Sequence, residues 1–118
     1  MIDEIGDPYP KAAVLNGLGQ AACATGDPAK ALDHHRQALA LAERIGHLYE
    51  QARAHRGIGD ALHRTKSLEA TESWQRALNI FTEIDVPEKE SMREDLAVRN
   101  GVDGLQALRE PSILDNAQ

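Results

Sequence analysis

Apolar residues return every three or four positions from Ala12 to Ala22, through Leu15, Leu18 and Gly19, the period of a helix that buries one face. Asp7-Pro8 precedes this stripe as a cap followed by proline at the first helical position, where the missing N–H is no loss. Thr25-Gly26 ends the stripe, and Asp27-Pro28 repeats the opening device. A second stripe follows in Ala31, Leu32, His35, Ala38, Leu39, Ala42 and Ile45, with Gly46 placed to end it in the left-handed region. A third helix is predicted over 48–64. Ser67 is predicted to cap a fourth, whose stripe is Leu68, Ala70, Trp74, Ala77, Leu78, Phe81 and Ile84. Asp85-Val86-Pro87 opens a fifth, acidic in its first turn as the helix dipole favours. Its apolar positions are Met92, Leu96 and Val98, and Asn100-Gly101 stops it.

The stripes repeat. At an offset of forty, Ile5-Gly6 falls on Ile45-Gly46, Tyr9 on Tyr49, Ala12 on Ala52, Gly17 on Gly57, Gly19 on Gly59 and Ala21 on Ala61. Past the next turn the offset becomes thirty-nine, so that Ala31 falls on Ala70, Ala38-Leu39 on Ala77-Leu78 and Ile45 on Ile84. Short loops make successive helices antiparallel neighbours, and hairpins related by a constant step stack into a superhelix. The expected fold is therefore all-α, a stack of antiparallel hairpins of about five helices. Residues 7–46 form the first repeat, 47–85 the second and 86–100 the fifth helix, with a loose tail over 101–118. Residues 1–6 read as the last turn of a preceding repeat's helix, which leaves apolar surface at that end and predicts self-association into a homodimer.

Two motifs resemble a known family. Leu15-x-x-Leu18-Gly19-x-x-Ala22 followed by Ala31-x-x-x-His35, and His55-x-x-Ile58-Gly59-x-x-Leu62 followed by Ala70-x-x-x-Trp74, are similar to the tetratricopeptide repeat. The usual Trp and Tyr of the first helix are missing, and the period is near forty. In that longer period the chain resembles the C-terminal arrays of actinobacterial antibiotic regulatory proteins. The resemblance implies a right-handed α-solenoid that binds a protein or peptide in a concave groove. It implies, as an alternative, the sensory C-terminal piece of a multidomain bacterial transcriptional regulator. His35 falls where the family places a packing aromatic.

Composition removes other classes. Of 118 residues, 42% are hydrophobic and only 3% aromatic, which suits closely approaching alanine-rich helices rather than a sheet. A net charge of −6 disfavours binding by phosphate neutralisation, so no nucleic acid is expected. No apolar run is long enough to span a membrane, and the first residues lack the pattern of a secretory signal, so a cytoplasmic protein is expected. Cys23 alone excludes an internal disulfide and reads as a small packed residue. His34 and His35 point about a hundred degrees apart on a helix. His55 and His63 are two turns apart, and no ligand set completes either pair. The G-x-G pairs lie inside helices and make no phosphate loop. No catalytic residues, no metal site and no cofactor are expected.

Charge carries the remaining signal. Residues 1–29 sum to −3, residues 30–66 to +3 and residues 67–118 to −6. By the resemblance, the first helix of each hairpin lines the groove, which would place Asn16 and Gln20 beside Arg53, Arg56, Asp60 and His63. Amide side chains can hydrogen-bond an extended backbone and arginines can grip a carboxylate, so the expected partner is an acidic peptide or protein segment. A merely solvated basic helix face accounts for the same arginines.

Overall fold

A computed structural model describes residues 8–99. Among them are five helices and no strand: α1 (Pro8–Ala24), α2 (Pro28–Ile45), α3 (Leu48–Arg64), α4 (Ala70–Glu83) and α5 (Glu88–Arg99). Each helix packs on the next, and α1 also touches α3, so the first helices of successive hairpins line one side of the stack. The remnant turn at 1–6, the Asp7 cap, the Asn100-Gly101 stop and the 101–118 tail lie outside the described residues.

All four turns close alike. Gly26, Gly46, Lys66 and Asp85 have φ of 89°, 72°, 62° and 57°, the left-handed conformation, at spacings of twenty, twenty and nineteen residues. In each turn the next residue's N–H reaches back to the last helical turn: Asp27 to the Ala22 carbonyl at 2.9 Å, His47 to Ala42 at 2.9 Å, Ser67 to Leu62 at 2.8 Å and Val86 to Phe81 at 3.2 Å. This bond satisfies a carbonyl that a helix end otherwise leaves open. Glycine takes the conformation freely, whereas Lys66 does so against its own Cβ. Lys66→Gly should therefore raise stability by about 1 kcal/mol in urea denaturation. An unchanged midpoint would remove backbone strain as a factor at this turn.

The Asp27 carboxylate accepts from the Lys30 N–H at 3.1 Å, the expected cap of α2. The fourth helix differs from expectation. Ser67 does not cap it; its Oγ accepts from the Glu69 N–H at 3.1 Å, and α4 begins only at Ala70. The one-residue loss between the repeats falls here, so 67–69 form a turn and Leu68, expected in the buried stripe, is 96% exposed. Val98 is likewise on the open side of α5, and Ala97 is buried with Met92 and Leu96.

Alanine supplies most of the core, as close approach of helices requires. The large side chains are concentrated in the second half, where Trp74, Phe81, Met92 and Leu96 pack with Ala52, Ala70 and Ala77. The first half has a smaller cluster of Ala22, Ala31 and Ala61, against which Cys23 packs as the small residue expected of it. Three polar side chains complete the interior there: Asn16, His35 and Glu50, all nearly or wholly buried.

Candidate functional site

His35 of α2 projects between α1 and α3 onto two glycines. A Cβ on either Gly19 or Gly57 would lie well inside contact with its ring. Trp74 of α4 meets Gly59 in the same way, so each hairpin's second helix presses a ring onto a glycine of its first. The Trp74 Nε1–H donates to Asp60 Oδ1 at 3.0 Å, which fixes the orientation of that carboxylate.

A chain of hydrogen bonds runs outward from His35. Asn16 Nδ2 donates to the Glu50 carbonyl at 3.1 Å and to Glu50 Oε1 at 2.9 Å. With the amide nitrogen so committed, Asn16 Oδ1 faces His35 Nδ1 at 2.9 Å, and that ring nitrogen must carry the proton. Burial, against the opposing pull of Asp60, lowers the His35 pKa from 6.5 to about 4, so the ring is neutral near pH 7. Arg53 Nη1 donates to Glu50 Oε1 at 3.0 Å, and Nη2 donates to Gln20 Oε1 at 3.2 Å. The buried Glu50 carboxylate is thus held by an amide from within and a guanidinium from without, as a buried charge requires.

Above this network lies a cleft of about 310 Å³ lined by Gln20, Arg53, Arg56 and Asp60 with Tyr49, Phe81 and Glu88. Four of the six residues predicted to form a groove are therefore in one cleft. Asn16 is not on its surface: it is fully buried beneath, because its amide is taken by Glu50 and His35. His63 lies apart, its ring 5.2 Å from the Trp74 indole, in a different hollow with Lys66 and Leu68.

Helix α5 supplies what sequence reading missed. The Tyr49 hydroxyl donates to Glu88 Oε2 at 2.6 Å, and Arg56 Nη2 donates to Asp95 Oδ2 at 3.3 Å. The hydrogen bond lowers the Glu88 pKa and raises that of Tyr49. Both contacts span thirty-nine residues, the repeat offset, so corresponding positions on successive first helices are the ones that touch. The cleft thus holds two arginines, a carboxylate from α3 and carboxylates from α5 at its edge.

Among the described residues no cluster of His, Cys, Asp or Glu is arranged to hold a metal ion. No described helix is long and apolar enough to cross a membrane. A family model described as tetratricopeptide repeat matches residues 10–83, from the first turn of α1 to the end of α4. Comparison with curated proteins and with solved structures returned no match.

Proposed function

Because this chain belongs to the tetratricopeptide-repeat family, whose repeats mediate protein–protein interaction, we propose that the α1–α3 cleft binds an acidic peptide or protein segment. The observation that carries this reading is the Arg56–Asp95 pair. Its side chains are 34% and 36% exposed and 3.3 Å apart, so the pair is one that solvent screens and that contributes little stability. Asp95 marks the place of a carboxylate on Arg56, and an incoming acidic side chain or C-terminus takes that place at small cost. Arg53, anchored by Glu50 and Gln20, is a second donor whose direction is already set. Gln20 keeps its amide protons for a peptide carbonyl, since only its oxygen accepts from Arg53. The binding act involves no bond making in the ligand and no cofactor.

Arg56→Glu tests the reading. Against an acidic peptide selected from a displayed library, fluorescence anisotropy should show affinity falling at least about tenfold, roughly 1.4 kcal/mol. Unchanged affinity would make the basic face ordinary solvated surface.

A further inference from the structure

The charges around the cleft do not balance. Two guanidiniums, Arg53 and Arg56, stand against four carboxylates: Glu50 beneath the cleft, Asp60 and Glu88 in its wall and Asp95 at its edge. Each arginine already has a carboxylate of its own, Arg53 in Glu50 at 3.0 Å and Arg56 in Asp95 at 3.3 Å. Glu88 is placed differently. Its Oε2 accepts from the neutral Tyr49 hydroxyl, and among the described residues no Lys or Arg forms an ion pair with it. That hydrogen bond first, and in smaller part the Arg56 charge, hold its carboxyl below the usual range, so it is ionised near pH 7. Helix α1 brings no compensating cation to this wall, since it contributes the neutral Gln20.

A ligand that brings only a carboxylate fits these surroundings poorly. In taking Arg56 it displaces Asp95 and exchanges one ion pair for another. It also adds a further carboxylate where carboxylates already outnumber guanidiniums, and like charges set side by side are costly. A ligand that brings a cation as well escapes that cost, because Glu88 stands ready to receive it. The spacing suits such a ligand. Glu88 and Asp95 are seven residues apart on α5, and so are the residues they touch on α3, Tyr49 and Arg56. Seven residues are two helical turns, about 10 Å of rise, which an extended chain covers in about three residues. On the reading that the cleft binds an acidic segment, we propose that this segment is one of mixed charge. It offers a carboxylate to Arg56 and, about three positions away, a lysine or arginine to Glu88. Glu88 is then the residue that separates mixed-charge ligands from purely acidic ones.

Peptides selected from a random displayed library against the full chain should pair an acidic residue with a basic one at about this spacing. For the tightest of them, fluorescence anisotropy should show affinity falling at least about fivefold when its basic residue is replaced by glutamine. The same replacement should cost less than about twofold when the protein is Glu88→Gln, because the two changes remove one interaction. That variant keeps an oxygen to accept from Tyr49, and its urea midpoint should be unchanged. A charge exchange gives a second measurement: Glu88→Lys should recover affinity for the peptide whose basic residue is made glutamate. Selected peptides without a basic residue, a loss equal in both proteins, or no recovery on charge exchange would overturn the proposal. The cleft reading would survive those results as long as Arg56→Glu still weakens the peptide. A library that yields no binder, or a binder indifferent to Arg56→Glu, would remove the cleft reading and this inference together.

Discussion

Gly57→Ala is expected to destabilise the protein by about 3 kcal/mol in urea denaturation, the upper part of what overpacking a core costs. The sign is opposite to intrinsic propensity, since alanine in place of glycine ordinarily favours a helix by about 1 kcal/mol. The difference is His35. The added methyl group would overlap three of its ring atoms, and the ring has no way back. Gly19 limits it on the other side, Asn16 holds its Nδ1 at 2.9 Å, and the side chain is buried. Combining Gly57→Ala with His35→Ala should recover part of the loss, so that the double variant is more stable than the two single effects summed. If Gly57→Ala instead stabilises the chain, the ring has room to move and the glycine is not there for it.

Stability should also fall as the solution is acidified from pH 6.5 towards 4. In the unfolded chain His35 takes up a proton near its ordinary value of 6.5, whereas the native ring resists until about 4. The unfolded state therefore binds more protons across that window, and stability rises with pH there. The gap corresponds to about 3 kcal/mol, fully present above pH 6.5 and fully lost below 4. The cause is physical confinement: a protonated ring would bring a second N–H to Nε2, which abuts Gly19 and Gly57. The charges around it partly offset one another, with Asp60 favouring the proton and Arg53 and His34 opposing it. His55, also lowered by burial, acts in the same direction, so its contribution is removed by comparing stability in a His55→Gln background. An NMR titration giving His35 a midpoint near 6.5 would refute the assignment.

Features with a local cause were legible in the sequence. Asp27 ahead of Pro28, and glycines at 26 and 46, announce a cap, a helix stop and a left-handed turn because the residue type itself carries the preference. Lys66 and Asp85 make the same turn without such a signal. Arg53, Arg56 and Asp60 were legible as groove residues through the family resemblance, and their spacings of three and four agree with one helix face. What decided the rest was tertiary. Asn16 is a polar residue at the border of an apolar stripe, and only the arrival of Glu50 and His35 determines that it faces inward. Glu50, in the first turn of α3, has the sequence look of an exposed dipole partner, yet it is 2% exposed. Tyr49 and Glu88 come together in the cleft, and Asp95 reaches Arg56 at its edge, only through side-chain contacts thirty-nine residues apart.

The polar core has a bearing on how such a chain can change by duplication. Trp74 presses on Gly59 and donates to Asp60, both in α3 of its own hairpin. His35 makes demands on the following hairpin as well, which must bring Glu50 for Asn16 and Gly57 for the ring. A tandem copy of the first hairpin would meet only half of this: Gly17 would arrive where Gly57 stands, but Pro10 would replace Glu50. The Asn16 amide would then be sealed in with one of its two acceptors missing. The order of the two hairpins is thus inherited as a pair, and shuffling them at the level of the gene would yield a chain that matches the repeat pattern yet fails to close.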